Sequence, residues 1–199
     1  MDYKIKKVVL IVLLALIIIL LIINITNISL FNNISYFNTL HTNNVYNEAF
    51  TIGEKIIINN LQNKLSLSNN TKKAVMFDTD DTLIKYSGEP ISEIIHLLNY
   101  SKFLGYLVII ITARSDKYYY ETINELSKHN ITYDKIYLKK DTENFYDFKS
   151  NIKESLFKTM NIQIILSVGD NWIDVNGDYS GDFIKLPNKT DSKLYSSVY

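Results

Sequence analysis

The sequence predicts an α/β fold, with a central parallel β-sheet and helices on both of its faces. Short apolar runs rich in valine and isoleucine alternate with segments of helical apolar spacing. This alternation is typical of parallel strands joined by right-handed helical crossovers. Several apolar runs end abruptly in polar residues, which would meet at the carboxyl edge of the sheet, where open α/β sheets place their sites.

Strands and helices can be assigned in order along the chain. Short apolar runs bounded by polar residues indicate buried strands at Ala74–Phe77, Leu107–Ile111, Lys135–Leu138, Ile164–Val168 and Phe183–Leu186. Helical patterns lie between them at Ile91–Leu104, Lys117–Lys128 and Phe148–Met160. The apolar spacing of Val45–Leu61 predicts a further helix that packs on the domain.

Carboxylates are crowded after the first predicted strand. Asp78, Asp80 and Asp81 fall within a single stretch of the chain, and Asp78 and Asp80, two apart, share one face of an extended backbone. Such a cluster repels itself unless a cation holds it, and oxygen ligands alone suit a hard cation such as Mg²⁺. Taken by itself, the motif could also be an acidic turn after a core strand.

A second acidic pair follows the fourth predicted strand. Gly169 permits a tight turn, and Asp170 and Asp174 lie four positions apart where a helix could begin, so both carboxylates can face one point. An N-capping aspartate with a solvated partner is the alternative. Beside Asp78 and Asp80 it is the weaker interpretation.

Two cationic residues are candidate phosphate ligands. Arg114 is the only arginine of the chain, and its planar fork can bind phosphate bidentately, which lysine cannot do. A surface arginine, or a salt bridge to a neighbour such as Asp116, is the alternative. Lys149 is the expected site lysine, although Lys153 lies one helical turn further on and stays open as a substitute.

The ordered motifs resemble those of the haloacid dehalogenase (HAD) superfamily of phosphohydrolases. The matching residues are Asp78-x-Asp80-x-Thr82, Thr112, Lys149 and Gly169-Asp170-x-x-x-Asp174. The class B-like acid phosphatases are the most similar group, because they share Asp81, the Trp172 of the fourth motif and the Lys185–Asn188 segment. The resemblance extends from about Lys72 to Asn188.

The resemblance implies a HAD-like Rossmannoid three-layer fold and a Mg²⁺-dependent phosphomonoesterase. Asp78 would attack phosphorus and form an aspartyl-phosphate, while Asp80 would exchange protons with the leaving group and then with water. The implied phosphate ligands are Thr112 and Lys149. The implied Mg²⁺ ligands are Asp78, the Asp80 backbone carbonyl, Asp170 and Asp174.

One departure from the family pattern concerns the roof of the site. Family members usually carry an insertion after the first motif that helps to cover it. Here only Ile84 to Pro90 separate this motif from the next helical pattern. We therefore expect a minimal or absent cap and an open site that admits bulky phosphorylated ends.

The N-terminal segment predicts a membrane anchor. Val8–Ile23 is an unbroken apolar run that follows Lys4, Lys6 and Lys7, and it reaches the ~20 residues of a bilayer span when extended to Ile28. Since no small-x-small cleavage site follows, an uncleaved signal anchor is favoured over a removed signal peptide, which would leave the domain secreted. The positive-inside rule places the N-terminus in the cytoplasm and the catalytic domain on the extracytoplasmic side.

The predicted organisation is a single globular domain behind this anchor. The formal net charge is zero, and no basic footprint for nucleic acid is present. The predicted segments are a cytoplasmic N-terminus at 1–7, a transmembrane anchor at 8–28, a stalk at 29–44 and a phosphatase domain at 45–199 with its core at 72–188.

Three functions are compatible with these features. The leading one is a membrane-anchored acid phosphatase-like enzyme that acts on a phosphorylated small molecule or an exposed phosphomonoester. A polynucleotide 3′-phosphatase would use similar motifs on an uncapped domain, but the membrane segment and the missing basic surface argue against it. A non-enzymatic surface or envelope protein on the same fold is the third. Retention of the clustered carboxylates together with Thr112 argues against it.

Overall fold

A parallel five-stranded sheet forms the centre of the computed structural model, which describes residues 45–66 and 71–188. Its strands are β1 Lys72–Phe77, β2 Leu107–Ser115, β3 Lys135–Lys139, β4 Ile162–Gly169 and β5 Asp182–Lys185. They lie in the order β3-β2-β1-β4-β5, and every neighbouring pair is parallel. The helices are α1 Val45–Ser66, α2 Ser92–Phe103, α3 Tyr119–Lys128, α4 Phe148–Met160 and α5 Trp172–Val175, with a 3₁₀ turn at Asp116–Tyr118 before α3.

The predicted fold class is confirmed for this part of the chain, and each predicted strand and helix is present. Two elements extend past their predicted carboxyl ends. Helix α1 continues to Ser66 instead of ending at Leu61, and β2 continues to Ser115 instead of ending at Ile111. The last residue of β2 pairs with Lys139 of β3 after a register shift that follows Thr112. Three of the last four residues of β2 are polar, so the apolar pattern could not show that the pairing continues to Ser115.

The side chains of the sheet alternate between two apolar cores, as the period of a strand requires. Val75 and Phe77 of β1 lie in a core shared with α1, α2 and α3. Ala74 and Met76 lie in the other core, which α4 covers. The result is the predicted three-layer arrangement, with α1 packed on the domain as expected. Full burial of an aliphatic or aromatic side chain contributes about 1.5–3 kcal/mol, so these two cores hold the layers together.

The order of the strands creates a switch point between β1 and β4. From β1 the sheet grows outward through β2 and β3, and the chain then returns through α4 to β4 and grows the other way to β5. Ligands of open α/β sheets bind outside the carboxyl ends of the strands at such a point. Asp78 follows β1 directly and Asp170 follows β4 directly. The fold therefore brings both acidic motifs to the same crevice.

The connection from β1 to α2 is short and closely hydrogen-bonded. The Thr79 carbonyl accepts the backbone N–H groups of Leu83 at 2.9 Å and Ile84 at 3.0 Å. Ile84 then forms an antiparallel bridge with Pro90, so the segment between them folds back as a small hairpin. This is the compact connection that the sequence predicts in place of an insertion.

The predicted membrane anchor at 8–28 lies outside the described residues, as do its flank at 1–7 and the stalk at 29–44. Within residues 45–66 and 71–188, none of the helices has both the length and the apolar character needed to cross a membrane. The anchor therefore stays a prediction from the sequence.

Alanine at Gly181 is expected to destabilise the fold more than alanine at Gly88. Both glycines have positive φ, 67° and 86°, which costs a residue with a Cβ about 1–2 kcal/mol. A Cβ at Gly181 would also lie 2.5 Å from the backbone carbon of Ile165, whereas one at Gly88 meets nothing within 4 Å. In urea unfolding, the free energy of unfolding should fall by at least about 2 kcal/mol more in Gly181→Ala than in Gly88→Ala. Equal losses would show that β4 yields easily at Ile165.

Candidate active site

A cavity of about 270 Å³ opens at the carboxyl edge of the sheet, at the switch point. It is lined by six of the seven residues that the sequence singles out, namely Asp78, Asp80, Arg114, Lys149, Asp170 and Asp174. Thr112, the seventh, is fully buried at the carboxyl end of β2, and its hydroxyl accepts the backbone N–H of Arg114 at 3.4 Å. The predicted residues therefore converge from β1, β2, α4 and the segment after β4.

Asp78 is fixed at the end of β1. Its backbone N–H donates to the carbonyl of Val168 on β4 at 3.0 Å, and the residue is only 6% exposed. Burial raises the pKa of its carboxyl to about 7, because the attraction of Lys149 only partly offsets desolvation and Asp174 adds repulsion. An additional positive charge near Asp78 would therefore favour the ionised form of its carboxyl.

Lys149 joins the two acidic motifs. It lies in the first turn of α4 and is 1% exposed. Its Nζ donates to Asp78 Oδ1 at 2.5 Å and to Asp174 Oδ1 at 2.6 Å. Burial alone would lower the pKa of this ammonium group, but the two carboxylates outweigh burial and raise it. Removing one partner of a buried ion pair typically costs about 3–5 kcal/mol, so this contact is a structural requirement as well as a chemical one.

Lys153, the alternative site lysine, faces a different part of the structure. Its Nζ donates to Ser180 Oγ at 2.8 Å and to the backbone carbonyl of Asp174. Burial, and then the neighbouring charge of Lys149, lower its pKa to about 8. Lys153 therefore supports the segment that carries Asp174, and Lys149 is the lysine placed against Asp78.

Gly169 allows Asp174 to approach the end of β4. A Cβ at Gly169 would lie 2.2 Å from the Cβ of Asp174, so no larger residue fits there without displacement. Asp174 Oδ2 accepts the N–H of Asn171 at 2.8 Å, and the Asn171 side chain accepts the N–H of Ile173 at 3.2 Å. This reciprocal capping of α5 fixes the Asp174 carboxylate.

Asp170 lies on the opposite side of the same turn. Its Oδ2 accepts the side-chain amide of Asn188 at 2.7 Å. Burial raises the pKa of Asp170 to about 6, and the charges of Asp174 and Asp81 add to the effect.

Three carboxylates form a candidate cation site. Oxygens of Asp78, Asp170 and Asp174 lie within 4.8 Å of one another, and Lys149 supplies one positive charge among them. An all-oxygen donor set with excess negative charge fits a hard divalent cation. The Asp80 carboxylate is not in this group, because it turns toward Arg114. The resemblance implies that Asp80 binds the cation through its backbone carbonyl and not through its carboxylate. This role stays a prediction.

Arg114 bridges two carboxylates at the rim of the cavity. Its Nε and Nη2 form a fork on Asp80, at 2.9 Å to Oδ2 and 2.6 Å to Oδ1. Its Nη1 donates to Glu125 Oε2 at 2.6 Å. Burial alone would lower the pKa of Arg114, but the hydrogen bonds and charges of both carboxylates outweigh burial and raise it. A role in phosphate binding is untested and stays a prediction.

Sequence reasoning missed four residues that the structure brings to the site. Glu125 carried no signal, because it reaches Arg114 from another element, α3. Phe145 lines the cavity and is 44% exposed, but an aromatic residue in a connecting segment is uninformative by itself. Asn171 and Asn188 lie inside segments that carry the family resemblance, so a search for capping and amide partners within those segments could have found them.

Comparison with known proteins identifies the family. The profile described as HAD superfamily, subfamily IIIB (Acid phosphatase) matches residues 85–193, more than half of the chain. Vegetative storage protein 2 of Arabidopsis thaliana is 29% identical over 154 residues, which cover 62% of this chain and 58% of that protein. The chain thus spans little more than half the length of this relative.

Solved structures share the fold at low sequence identity. The class C acid phosphatase from Bacillus anthracis superposes with a TM-score of 0.55 and 18% identity, over 78% of this chain and 83% of that one. A chain in the structure of the Pnkp1/Rnl/Hen1 complex gives a TM-score of 0.52 and 20% identity, over 60% of this chain and 47% of that one. These two structures show a shared fold, and the matched profile shows that the chain belongs to the HAD superfamily, subfamily IIIB acid phosphatase family.

Proposed function

We propose that the protein is a Mg²⁺-dependent phosphomonoesterase that forms an aspartyl-phosphate on Asp78. The observation that carries the proposal is the 2.5 Å contact of buried Lys149 with Asp78 beside Asp170 and Asp174. A nucleophilic carboxylate, a fixed cation and a second carboxylate pair are the parts that two-step phosphoryl transfer needs. A structural cluster would not need an open cavity beside it.

The reaction consists of two displacements at phosphorus. In the first, an Asp78 oxygen bonds to phosphorus, the bond to the leaving oxygen breaks, and Asp80 donates a proton to that oxygen. In the second, water attacks phosphorus, Asp80 takes its proton, and the bond from phosphorus to Asp78 breaks. Asp80 ends each cycle protonated again, so the net reaction is hydrolysis of the monoester. Asp80 suits this exchange because its side chain is 53% exposed at the rim.

Asp78, Asp170 and Asp174 would hold the Mg²⁺, with the Asp80 backbone carbonyl as a further ligand. The ion, when bound, screens the repulsion between these carboxylates and the phosphate. Asn188 and Asn171 keep Asp170 and Asp174 in place through the hydrogen bonds described above.

Thr112, Lys149 and Arg114 are the proposed phosphate-binding groups. Lys149 is already held between two carboxylates, so it stays in place whether or not phosphate is bound. Arg114 supplies a positive charge at the rim next to Asp80. Together they would balance the charge that spreads over the transferring oxygens.

The proposed substrate is a phosphorylated small molecule or an exposed phosphomonoester. The short connection between β1 and α2 leaves the cavity accessible from the side of Asp80 and Phe145. We further propose that residues 8–28 anchor the protein in a membrane, with the catalytic domain on the extracytoplasmic side.

Asp78→Asn is expected to abolish Mg²⁺-dependent release of phosphate from an aryl phosphate. Asp80→Asn should reduce turnover by about 10²–10⁴-fold, the usual contribution of general acid–base catalysis. Asp116→Asn, which changes an exposed carboxylate outside the cavity, is the matched control and should stay near the wild-type rate. Turnover retained by Asp78→Asn would refute the nucleophile. If wild type and Asp78→Asn are equally inert but both bind Mg²⁺, the result would favour a binding protein on this fold.

Mg²⁺ is expected to stabilise the protein more at pH 8 than at pH 5. Without the ion, Asp78 and Asp170 have pKa values of about 7 and about 6 in the folded protein against 3.8 ordinarily. The folded state then binds more protons than the unfolded state across this range, so the free energy of unfolding falls as pH rises. Mg²⁺ competes with those protons, and at about 100 times its dissociation constant it adds about 2.7 kcal/mol.

Thermal unfolding with Mg²⁺ or EDTA across pH 5–8 measures this effect. Asp170→Asn removes one ligand, and most of the Mg²⁺-dependent rise in melting temperature should disappear in this variant. A rise that is equal at every pH, or equal in wild type and Asp170→Asn, would contradict a site made of these carboxylates.

The proposed anchor predicts that the full chain stays in the membrane pellet after alkaline carbonate extraction. Deletion of residues 8–28 should release the chain to the supernatant, because no other apolar span of that length precedes the domain in the sequence. In the proposed orientation the domain faces outward, so protease added outside intact cells should cleave it. Extraction of the full chain by carbonate would refute the anchor.

A further inference from the structure

The carboxylate of Glu125 reaches the catalytic rim from an element that carries none of the family motifs. It lies on α3 and accepts a hydrogen bond from Arg114 Nη1 at 2.6 Å. The other edge of the same guanidinium is occupied by Asp80. One planar group thus links the proposed acid–base residue to a helix on the flank of the sheet.

Both ends of this linkage are mounted on rigid parts of the fold. Arg114 lies near the end of β2, between Thr112 and Ser115, which both pair with β3 on either side of a register shift. Glu125 precedes Leu126, which is fully buried in the core beneath α3, and Thr122, one turn earlier, is buried as well. Glu125 itself is 32% exposed, and Arg114 is 20% exposed. The guanidinium therefore has a fixed support on one side and a mobile partner on the other.

Asp80 needs such support because its own environment restrains it little. Its side chain is half exposed and projects from the connection after β1, so it could adopt several rotamers. A guanidinium fork fixes the direction of a carboxylate as well as attracting it. A long arginine side chain can do this only if it is itself held, and Glu125 holds it.

We propose that Glu125 is a positioning residue for catalysis, which acts through Arg114 to hold Asp80 at the rim of the cavity, from where the Asp80 carboxylate turns to the leaving group. The proposal rests on the proposed phosphomonoesterase function. Glu125 also keeps Arg114 in place when Asp80 turns toward substrate, because the guanidinium retains one carboxylate partner throughout. This role requires no contact between Glu125 and the substrate.

The leaving group separates this role from a purely structural one. An activated aryl phosphate, such as p-nitrophenyl phosphate, leaves readily without a proton, whereas an alkyl phosphate such as glycerol phosphate depends on proton donation. A misplaced Asp80 should therefore slow the first displacement, which kcat/KM reports, much more with the alkyl substrate than with the aryl substrate. The second displacement, in which Asp80 acts as base, is the same for both substrates. A general loss of folding would slow both equally.

The test compares Glu125→Gln with wild type in the full chain on both substrates. Glu125→Gln keeps the size of the side chain and removes its charge. We expect kcat/KM for the alkyl phosphate to fall about tenfold, a part of the general acid–base contribution, and kcat/KM for the aryl phosphate to change less than about threefold. The aspartate of Glu125→Asp is too short to reach Arg114 equally well, so this variant should shift the ratio in the same direction. It replaces Glu125→Gln in the test if Glu125→Gln does not fold. Glu121→Gln, an exposed glutamate one turn earlier on α3, is the matched control and should leave both rates unchanged.

The outcomes distinguish this inference from the function on which it rests. An aryl-to-alkyl ratio of kcat/KM that rises in Glu125→Gln or Glu125→Asp but not in Glu121→Gln supports the positioning role. Equal losses on both substrates, or no loss on either, overturn it while leaving the phosphomonoesterase in place. Wild-type protein inert on both substrates would overturn the proposed function, and this inference with it.

Discussion

The site depends on one constraint, which is that several carboxylates must be buried together at the switch point of the sheet. Burying charges is costly unless they are paired, and Lys149 is the cation that the fold itself supplies. It can do so because α4 covers the second face of the sheet and Lys149 lies in its first turn. From there its Nζ reaches Asp78 after β1 and Asp174 after β4. The strand order, the return crossover and the position of this lysine are therefore linked.

Two electrostatic environments lie side by side in the cavity. Around Lys149 the contacts are buried, so each charge is strongly affected by its neighbours and the pKa of Asp78 moves to about 7. Around Arg114 the partners are partly exposed, where solvent screens the pairs and their net contribution to stability is modest. The first environment suits a fixed nucleophile and a cation. The second suits a carboxylate that must change both its partner and its protonation state.

The sequence predicted the layers, the strand positions and the convergence of the acidic motifs, because each of these depends on local patterns. Apolar runs mark strands wherever they are buried on both faces, and the residue that follows such a run must lie at the edge of the sheet. Local patterns of this kind could not decide between Lys149 and Lys153 as the site lysine. Both fall on the same face of α4, one turn apart, and only the packed structure shows which of them reaches Asp78 and which reaches Ser180.

Glu125 shows a second limit of sequence reasoning, since its partner is a side chain on another element and no spacing rule links the two. The same separation has a functional consequence. The carboxylates of the proposed chemistry lie in the segments after β1 and β4, while the cations that hold them come from β2 and α4. No single βαβ unit contains both acidic motifs and both cations. The site is therefore assembled only when the whole sheet has formed, and a substitution that loosens one layer should reduce the activity before it abolishes the fold.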